Sequence, residues 1–130
     1  MNQPIWIGEV QALTLHAQQI TLFGGSMGVR DMGLLESALA RPKNIWAYAE
    51  SPPGLAALAS AYAFGISSNH PFVDGNKRSA LMVSFVFLEI NRLEVTATQE
   101  EAFVTILGLA AGEIAEDQLS AWFERNTHPR

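Results

Sequence analysis

The chain has 130 residues, of which 48% are hydrophobic and 16% charged, and its net charge is −5. These values predict one globular domain over residues 1–130 and exclude a disordered chain. The acidic balance argues against direct binding of DNA or RNA through a basic face. Cysteine is absent, which excludes disulfides and thiolate zinc sites. We find no secretory signal and no apolar run near the ~20 residues of a membrane span, so we expect a cytoplasmic protein without membrane contact.

The first predicted helix covers about residues 9–23 and stops at the glycine pair 24–25. Apolar residues at helical spacing should form its buried face: Val10, Leu13, Ala17 and Ile20. His16 on this helix has no metal partner at ligand spacing, so we interpret it as a packed or capping residue.

A second, short helix capped by Asp31 should end at Pro42, because proline disfavours helical backbone in the residue before it. Its apolar face consists of Leu34, Leu35, Ala38 and Leu39. Residues 42–54 are then predicted to be irregular and to expose Trp46 and Tyr48.

Two buried helices should form the centre of the fold. Residues 55–69 are apolar on nearly all sides, and this helix should end at His70, which precedes a proline. The second begins around Asn76 and runs to about Ile90.

The remaining chain should complete an all-α bundle of five to seven helices. Residues 93–97 could form a short strand, and Thr98 with Glu101 fits a capping box that opens a helix to about residue 110. A last helix over 116–125 should point three side chains inward: Leu119, Trp122 and Phe123. We expect His128 in the tail to be disordered.

The break between the two central helices, HPFVDGNKR at residues 70–78, concentrates polar chemistry. Lys77 and Arg78 fall in the first turn of a helix, where the partial positive charge makes cations unfavourable. An anion would compensate them, and Gly75 with Asn76 can bend the chain into a phosphate cradle. Asp74 could hold Mg²⁺, and His70 could act as general base toward a hydroxyl, since histidine exchanges protons near neutral pH.

Structural roles could also explain each of these residues. Asp74 or Asn76 could cap the helix, Arg78 could pair with Glu89 or another acid, and His70 could bond to the main chain at the end of the preceding helix. Phe72 is expected to be a core anchor in either case. The combination within one short loop favours the functional interpretation, that of nucleotide phosphate chemistry.

The same nine residues resemble the signature of the Fic/Doc superfamily: His, any residue, Phe, any residue, Asp or Glu, Gly or Ala, Asn, Gly or Lys, Arg. The resemblance extends to FGGSMGVRDMGLLESALARP, FLEINRLEV and LAAGEIAEDQLSAWF. It implies a compact all-α Fic fold and transfer of part of a nucleotide to a protein hydroxyl.

The resemblance also implies roles for individual residues. His70 would be the general base, Phe72 a structural anchor and Asp74 the Mg²⁺ ligand. The nucleotide-binding residues would be Gly75, Asn76, Lys77 and Arg78. Residues 42–53 would be the flap that docks the main chain of the target.

Lys77 stands where AMP-transferring Fic enzymes usually have glycine and Doc toxins have lysine. The resemblance therefore implies a Doc-type toxin of a type II toxin–antitoxin module that uses ATP and Mg²⁺ to phosphorylate a target, with elongation factor Tu as the expected target and translation arrest as the outcome. The inhibitory motif that Fic enzymes carry in the same chain is not cleanly present, which agrees with inhibition by a separate Phd-type antitoxin.

Two alternatives stay open from the sequence. One is AMP transfer; the other is a non-catalytic module that binds an antitoxin and modulates its DNA binding, which intact His70, Asp74 and Arg78 disfavour. Two positions depart from some relatives: Gly75 stands where some Doc toxins have alanine, and Ser68 where some have arginine.

Overall fold

The computed structural model describes residues 2–130, and in them the chain forms six helices and one two-stranded ribbon. In chain order the elements are α1 (Glu9–Phe23), α2 (Met32–Tyr48), α3 (Leu55–Asn69), α4 (Asn76–Ile90), β1 (Leu93–Val95), α5 (Gln99–Ala110), α6 (Glu116–Arg125) and β2 (Thr127–Pro129). The all-α prediction is confirmed, and the bounds of α1, α3, α4, α5 and α6 agree with those predicted.

Helices α3 and α4 form the centre of the core and pack against each other. Because α3 is apolar on nearly all sides, it can also pack against α2 and α6, while α4 packs against α1 and α5. Tyr62 of α3 and Phe87 of α4 are both fully buried, with ring centroids 5.1 Å apart. The short loop 70–75 between the helices is therefore held at one end of the bundle by the packing of both.

The predicted buried face of α1 is only partly correct, since Ile20 is buried and Leu13 packs against the core as expected. Val10 is 77% exposed, and the residues that face the protein are Ala12, His16, Gln19 and Ile20. Two of these four are polar, so a pattern based on apolar spacing misses part of the buried face. The interpretation of His16 as a packed residue is confirmed, since its side chain is only 3% exposed.

Helix α2 does not end at Pro42 but continues through it to Tyr48. An interior proline costs a helix about 3 kcal/mol, yet Pro42 is buried here and the next turn packs against the core through Ile45 and Trp46. Trp46 also makes an edge-on contact with Trp6, so packing overrides the local preference. Tyr48 is 86% exposed, as predicted.

The position predicted for the flap, residues 42–53, is also wrong. Residues 42–48 are the end of α2, and residues 49–53 precede the first residue of α3, Leu55. Helix α3 has 15 residues, so its two ends are about 22 Å apart, and His70 lies at the other end. Residues 42–53 therefore lie at the far end of the bundle from the loop 70–75.

The C-terminal tail is ordered, contrary to prediction. Its strand β2 pairs antiparallel with β1, and Glu94 lies opposite His128. The predicted strand over 93–97 is thus confirmed for Leu93–Val95, and its partner strand was not predicted. Among residues 2–130, no helix combines the length and apolar character needed to cross a membrane.

Candidate active site

The loop between α3 and α4 begins at His70, whose left-handed backbone (φ 49°) caps α3. Arg30 fixes this point from outside the helices. Its Nε donates to the His70 carbonyl at 2.7 Å, and its Nη2 donates to the Asn69 carbonyl at 2.8 Å. The helix end was predicted from the proline at 71, and its attachment to Arg30 was not.

Phe72 anchors the loop in the core, with 1% of its surface exposed. The Asn76 side chain closes the loop over it: the Phe72 N–H donates to Asn76 Oδ1 at 2.9 Å, and Asn76 Nδ2 donates to the Phe72 carbonyl at 3.0 Å. Phe72 is thus a buried residue whose main-chain N–H and carbonyl are both bonded by Asn76. The Asn76 oxygen and one of its two amide N–H groups are thus used by Phe72, which leaves the second amide N–H and the main-chain N–H as donors for an anion.

Residues 24–31 run beside this loop and take the place predicted for residues 42–53. Val29 pairs with Phe72 in an antiparallel bridge, and the Val73 N–H donates to the Gly28 carbonyl at 3.0 Å. The Pro71 carbonyl accepts from Arg30 N and Asp31 N. The segment between α1 and α2 is therefore hydrogen-bonded along the loop.

Main-chain donors on both sides hold the Asp74 carboxylate. Its Oδ1 accepts from Gly75 N at 2.9 Å and its Oδ2 from Ser26 N at 3.2 Å. The side chain remains exposed, and each oxygen keeps a further lone pair. In residues 2–130 no group of three or more histidine and acidic side chains could hold a metal. A metal here would need other oxygens besides this carboxylate, and Mg²⁺ bound to phosphates is often held in this way.

The first turn of α4 has positive charge and no compensating acid. Gly75 precedes it in the left-handed conformation (φ 74°), no side chain caps it, and its first turn contains no acidic residue. In residues 2–130 the salt bridge found is that of Arg41 with Glu116, so Lys77 and Arg78 have no carboxylate partner. The proposed structural roles of Asn76 as a cap and of Glu89 as partner of Arg78 are therefore wrong.

Arg78 instead makes cation–π contacts with two aromatic rings. Its guanidinium carbon lies 4.0 Å from the centroid of the Phe23 ring and 3.9 Å from that of Phe103. We find no hydrogen bond from the guanidinium N–H groups of Arg78 to another side chain or to the main chain among residues 2–130. These groups are therefore available for a bidentate partner such as a phosphate.

The loop and the start of α4 border an open cleft of about 360 Å³. It brings together the predicted polar residues, and its lining consists of His70, Val73, Asp74, Gly75, Asn76, Lys77, Arg78 and Phe103. Phe72 lies beneath it. The His70 side chain is exposed, and we find no hydrogen bond to its imidazole from residues 2–130. Phe23 and Phe103 were not predicted, because each is an ordinary apolar residue of a helix and only the packing places it beside Arg78.

A sequence profile of the Fic/DOC family matches residues 6–88, more than half of the chain, including this loop and both central helices up to Leu88. The chain belongs to the Fic/Doc family. It is 31% identical over 119 residues to a protein of Escherichia phage P1 named "Protein kinase doc", an alignment that covers 92% of this chain and 93% of that protein. It is 41% identical over 75 residues to the "Toxin Doc" of Mycolicibacterium smegmatis, over 58% of each chain. The six helices are thus a Fic fold, and the cleft lies at the Fic/Doc signature.

Proposed function

We propose that this chain is a Doc-type toxin that transfers the γ-phosphate of ATP to a hydroxyl group of a protein. The observation that carries the proposal is the uncompensated pair Lys77 and Arg78 at the start of α4, in one cleft with His70. Two cations, the free N–H groups of a helix start and a left-handed glycine form a strong site for phosphates.

Each of the side chains in the cleft has a separate role in an in-line transfer. Arg78, in contact with Phe23 and Phe103, binds a phosphate through its N–H groups, and Lys77 places a point charge beside it. His70 accepts the proton of the incoming hydroxyl as the hydroxyl oxygen attacks the γ-phosphorus. The bond from that phosphorus to the oxygen bridging to the β-phosphate breaks, ADP leaves, and the proton stays on the imidazole until solvent removes it.

Asp74 is the residue that would hold Mg²⁺, together with phosphate oxygens. The metal would supply charge neutralisation on the phosphates. The two main-chain donors on Asp74 fix the direction of its carboxylate before any ligand arrives.

The protein partners are part of the same proposal. The relatives are named a kinase and a toxin, and we propose elongation factor Tu as the target and a separate Phd-type antitoxin as the inhibitor. Segment 24–31 is hydrogen-bonded to the loop that carries His70, and we propose that it holds a target segment near His70.

The test uses the purified chain, purified elongation factor Tu or a bacterial lysate, and ATP labelled on either the γ- or the α-phosphate. We expect label transfer from γ-labelled ATP only, and an intact target mass increased by one phosphate. Transfer from α-labelled ATP would instead support AMP transfer. No transfer from either nucleotide would favour the non-catalytic alternative.

His70→Ala is the control. It should abolish transfer while it leaves the thermal unfolding temperature and ATP binding unchanged, because the imidazole makes no hydrogen bond that the fold needs. A variant that transfers as fast as wild type would remove His70 from the mechanism.

A further inference from the structure

We propose that His16 is a positioning residue of the phosphate site, which it acts on through the Asp74 main chain. This inference rests on the proposed function for its catalytic consequence, but its structural basis is independent of it. His16 belongs to α1, lies far from the signature in sequence and does not line the cleft.

His16 makes two contacts with the loop. Its ring stacks on that of Phe72, with centroids 3.9 Å apart and planes only 4° from parallel. Its Nε2 lies 2.8 Å from the Asp74 carbonyl oxygen. A carbonyl can only accept, so Nε2 carries the hydrogen and donates it. One buried side chain thus holds the loop at two residues.

The carbonyl that His16 binds is the one a helix would normally use. In a continuous helix the Arg78 N–H would donate to the carbonyl of Asp74, four residues earlier. Helix α4 instead begins at Asn76, and we find no bond from Arg78 N to Asp74 O. By taking this carbonyl, His16 favours a helix start at Asn76 and leaves the Arg78 N–H free for an anion.

The same contact fixes the Asp74 side chain. With its carbonyl held by His16 and its carboxylate by Ser26 N and Gly75 N, the residue has little freedom to rotate. Gly75 lies directly over α1, since a Cβ there would be 3.8 Å from His16 Nε2 and 3.0 Å from Ile20 Cδ1. The loop therefore packs on α1, and His16 supplies a hydrogen bond at this contact.

Two variants separate the ring stack from the hydrogen bond. His16→Phe keeps an aromatic ring on Phe72 but has no donor for Asp74. His16→Gln keeps an N–H donor and loses the stack. Gln19→Met is the matched control, because Gln19 is buried on the same helix and we find no hydrogen bond from it to the loop among residues 2–130.

The first readout is amide hydrogen exchange of Gly75 and Phe72, whose N–H groups are bonded inside the loop. We expect at least about tenfold faster exchange in His16→Phe, with wild-type rates in Gln19→Met and nearly wild-type rates in His16→Gln. Amides in the middle of α3 and α4 should be unchanged in all variants that fold.

The second readout is the transfer reaction. His16→Phe should lower kcat by roughly tenfold or more, since small displacements of a reacting group have large effects on rate. It should also raise the Mg²⁺ concentration that gives half the maximal rate, and His16→Gln should recover both quantities.

The outcomes decide as follows. Wild-type exchange at Gly75 in His16→Phe would overturn the proposal, and so would fast exchange in a folded His16→Gln. If His16→Phe fails to fold, the comparison of His16→Gln with wild type still decides. If wild-type protein transfers nothing, the proposed function fails while the exchange data continue to test the role of His16.

Discussion

The guanidinium carbon of Arg78 lies 3.9 Å from the centroid of the Phe103 ring. Arg78 comes from the first turn of α4 and Phe103 from α5, so the contact ties the proposed phosphate site to a helix outside the signature. Phe103 is only partly buried and also lines the cleft. The ring therefore orients the arginine and at the same time forms part of the surface that a nucleotide would meet.

Replacement of Phe103 by leucine should weaken ATP binding by a few-fold. Leucine keeps most of the apolar contact but has no ring face, and a cation–π contact at a partly exposed site contributes about 0.5–1 kcal/mol. Titration calorimetry or the KM for ATP measures the effect, with Phe103→Tyr as the control that retains the stack. If leucine and tyrosine bind ATP equally well, the stack does not contribute to the site.

Lys77 is expected to decide which phosphate is attacked. Its side chain occupies space beside the left-handed Gly75 that a glycine would leave open for an α- or β-phosphate. Lys77→Gly should lower phosphoryl transfer and open AMP transfer, measured by the intact mass of the modified target.

Lys77→Ala helps to interpret that result, because it removes the charge and retains a Cβ. Loss of phosphoryl transfer in both variants, with AMP transfer only in Lys77→Gly, would separate the effect of charge from that of space. If Lys77→Gly phosphorylates as well as the parent, or if the parent already attaches AMP, Lys77 is not the selector.

Gly25 should be intolerant of any side chain because of Asp74. A Cβ on Gly25 would lie 2.6 Å from Asp74 Oδ2, whereas one on Gly24 would have no atom within 4 Å. Both glycines have positive φ, so alanine should lower the free energy of unfolding by about 1 kcal/mol or more at either position. Only Gly25→Ala displaces the Asp74 carboxylate, and only this variant should lose transfer activity by about tenfold or more.

Thermal unfolding and the rate of transfer, measured on both glycine variants, separate strain from displacement. Equal rates in Gly25→Ala and Gly24→Ala would show that the position of Asp74 is not limiting.

Tyr62 should make the fold sensitive to alkaline pH. Burial raises the pKa of Tyr62 to about 12, although the N–H of Ile7, which donates to its hydroxyl at 2.9 Å, opposes the shift. In the unfolded chain a tyrosine ionises near pH 10, so between pH 10 and 12 the unfolded state loses a proton that the folded state keeps. Stability should therefore be intact below pH 10 and fall as the pH rises toward 12, by at most about 2–3 kcal/mol from this residue.

Denaturant unfolding at a series of pH values from 9 to 11 measures this loss. Tyr62→Phe should reduce the pH dependence, and it should lower stability at pH 7 by about 1–3 kcal/mol because the buried Ile7 N–H loses its acceptor. An unchanged pH dependence in Tyr62→Phe would mean that other groups cause it.

The parts of the site that follow from local rules were predictable. The end of α3 before Pro71, the start of α4 at Asn76 and the exposed cations in its first turn depend on residues adjacent in sequence. The capping box of α5 is of the same kind, and the Thr98 side chain accepts from Glu101 N as predicted.

The parts that were missed depend on contacts between distant segments. Pro42 continues a helix because the turn after it packs on the core, and His128 is ordered because β1 offers it a partner strand. Two contacts join segments more than forty residues apart: the pairing of residues 24–31 with the loop, and the hydrogen bond of His16 to Asp74. No local pattern encodes such a pairing. The sequence therefore indicated neither the contact of residues 24–31 with the loop nor the hydrogen bond of His16 to Asp74.

If the chain is the toxin proposed above, the hydrogen bonds that hold the loop 70–75 have a consequence for the timing of its toxicity. A loop already fixed by Arg30, Asn76 and α1 incurs little ordering cost when its ligand arrives. The first turnover after folding should then show no lag, and no maturation step would delay damage to the cell that makes the protein. Control would have to come from a molecule present at the moment of synthesis, in at least equal number to the newly made chains.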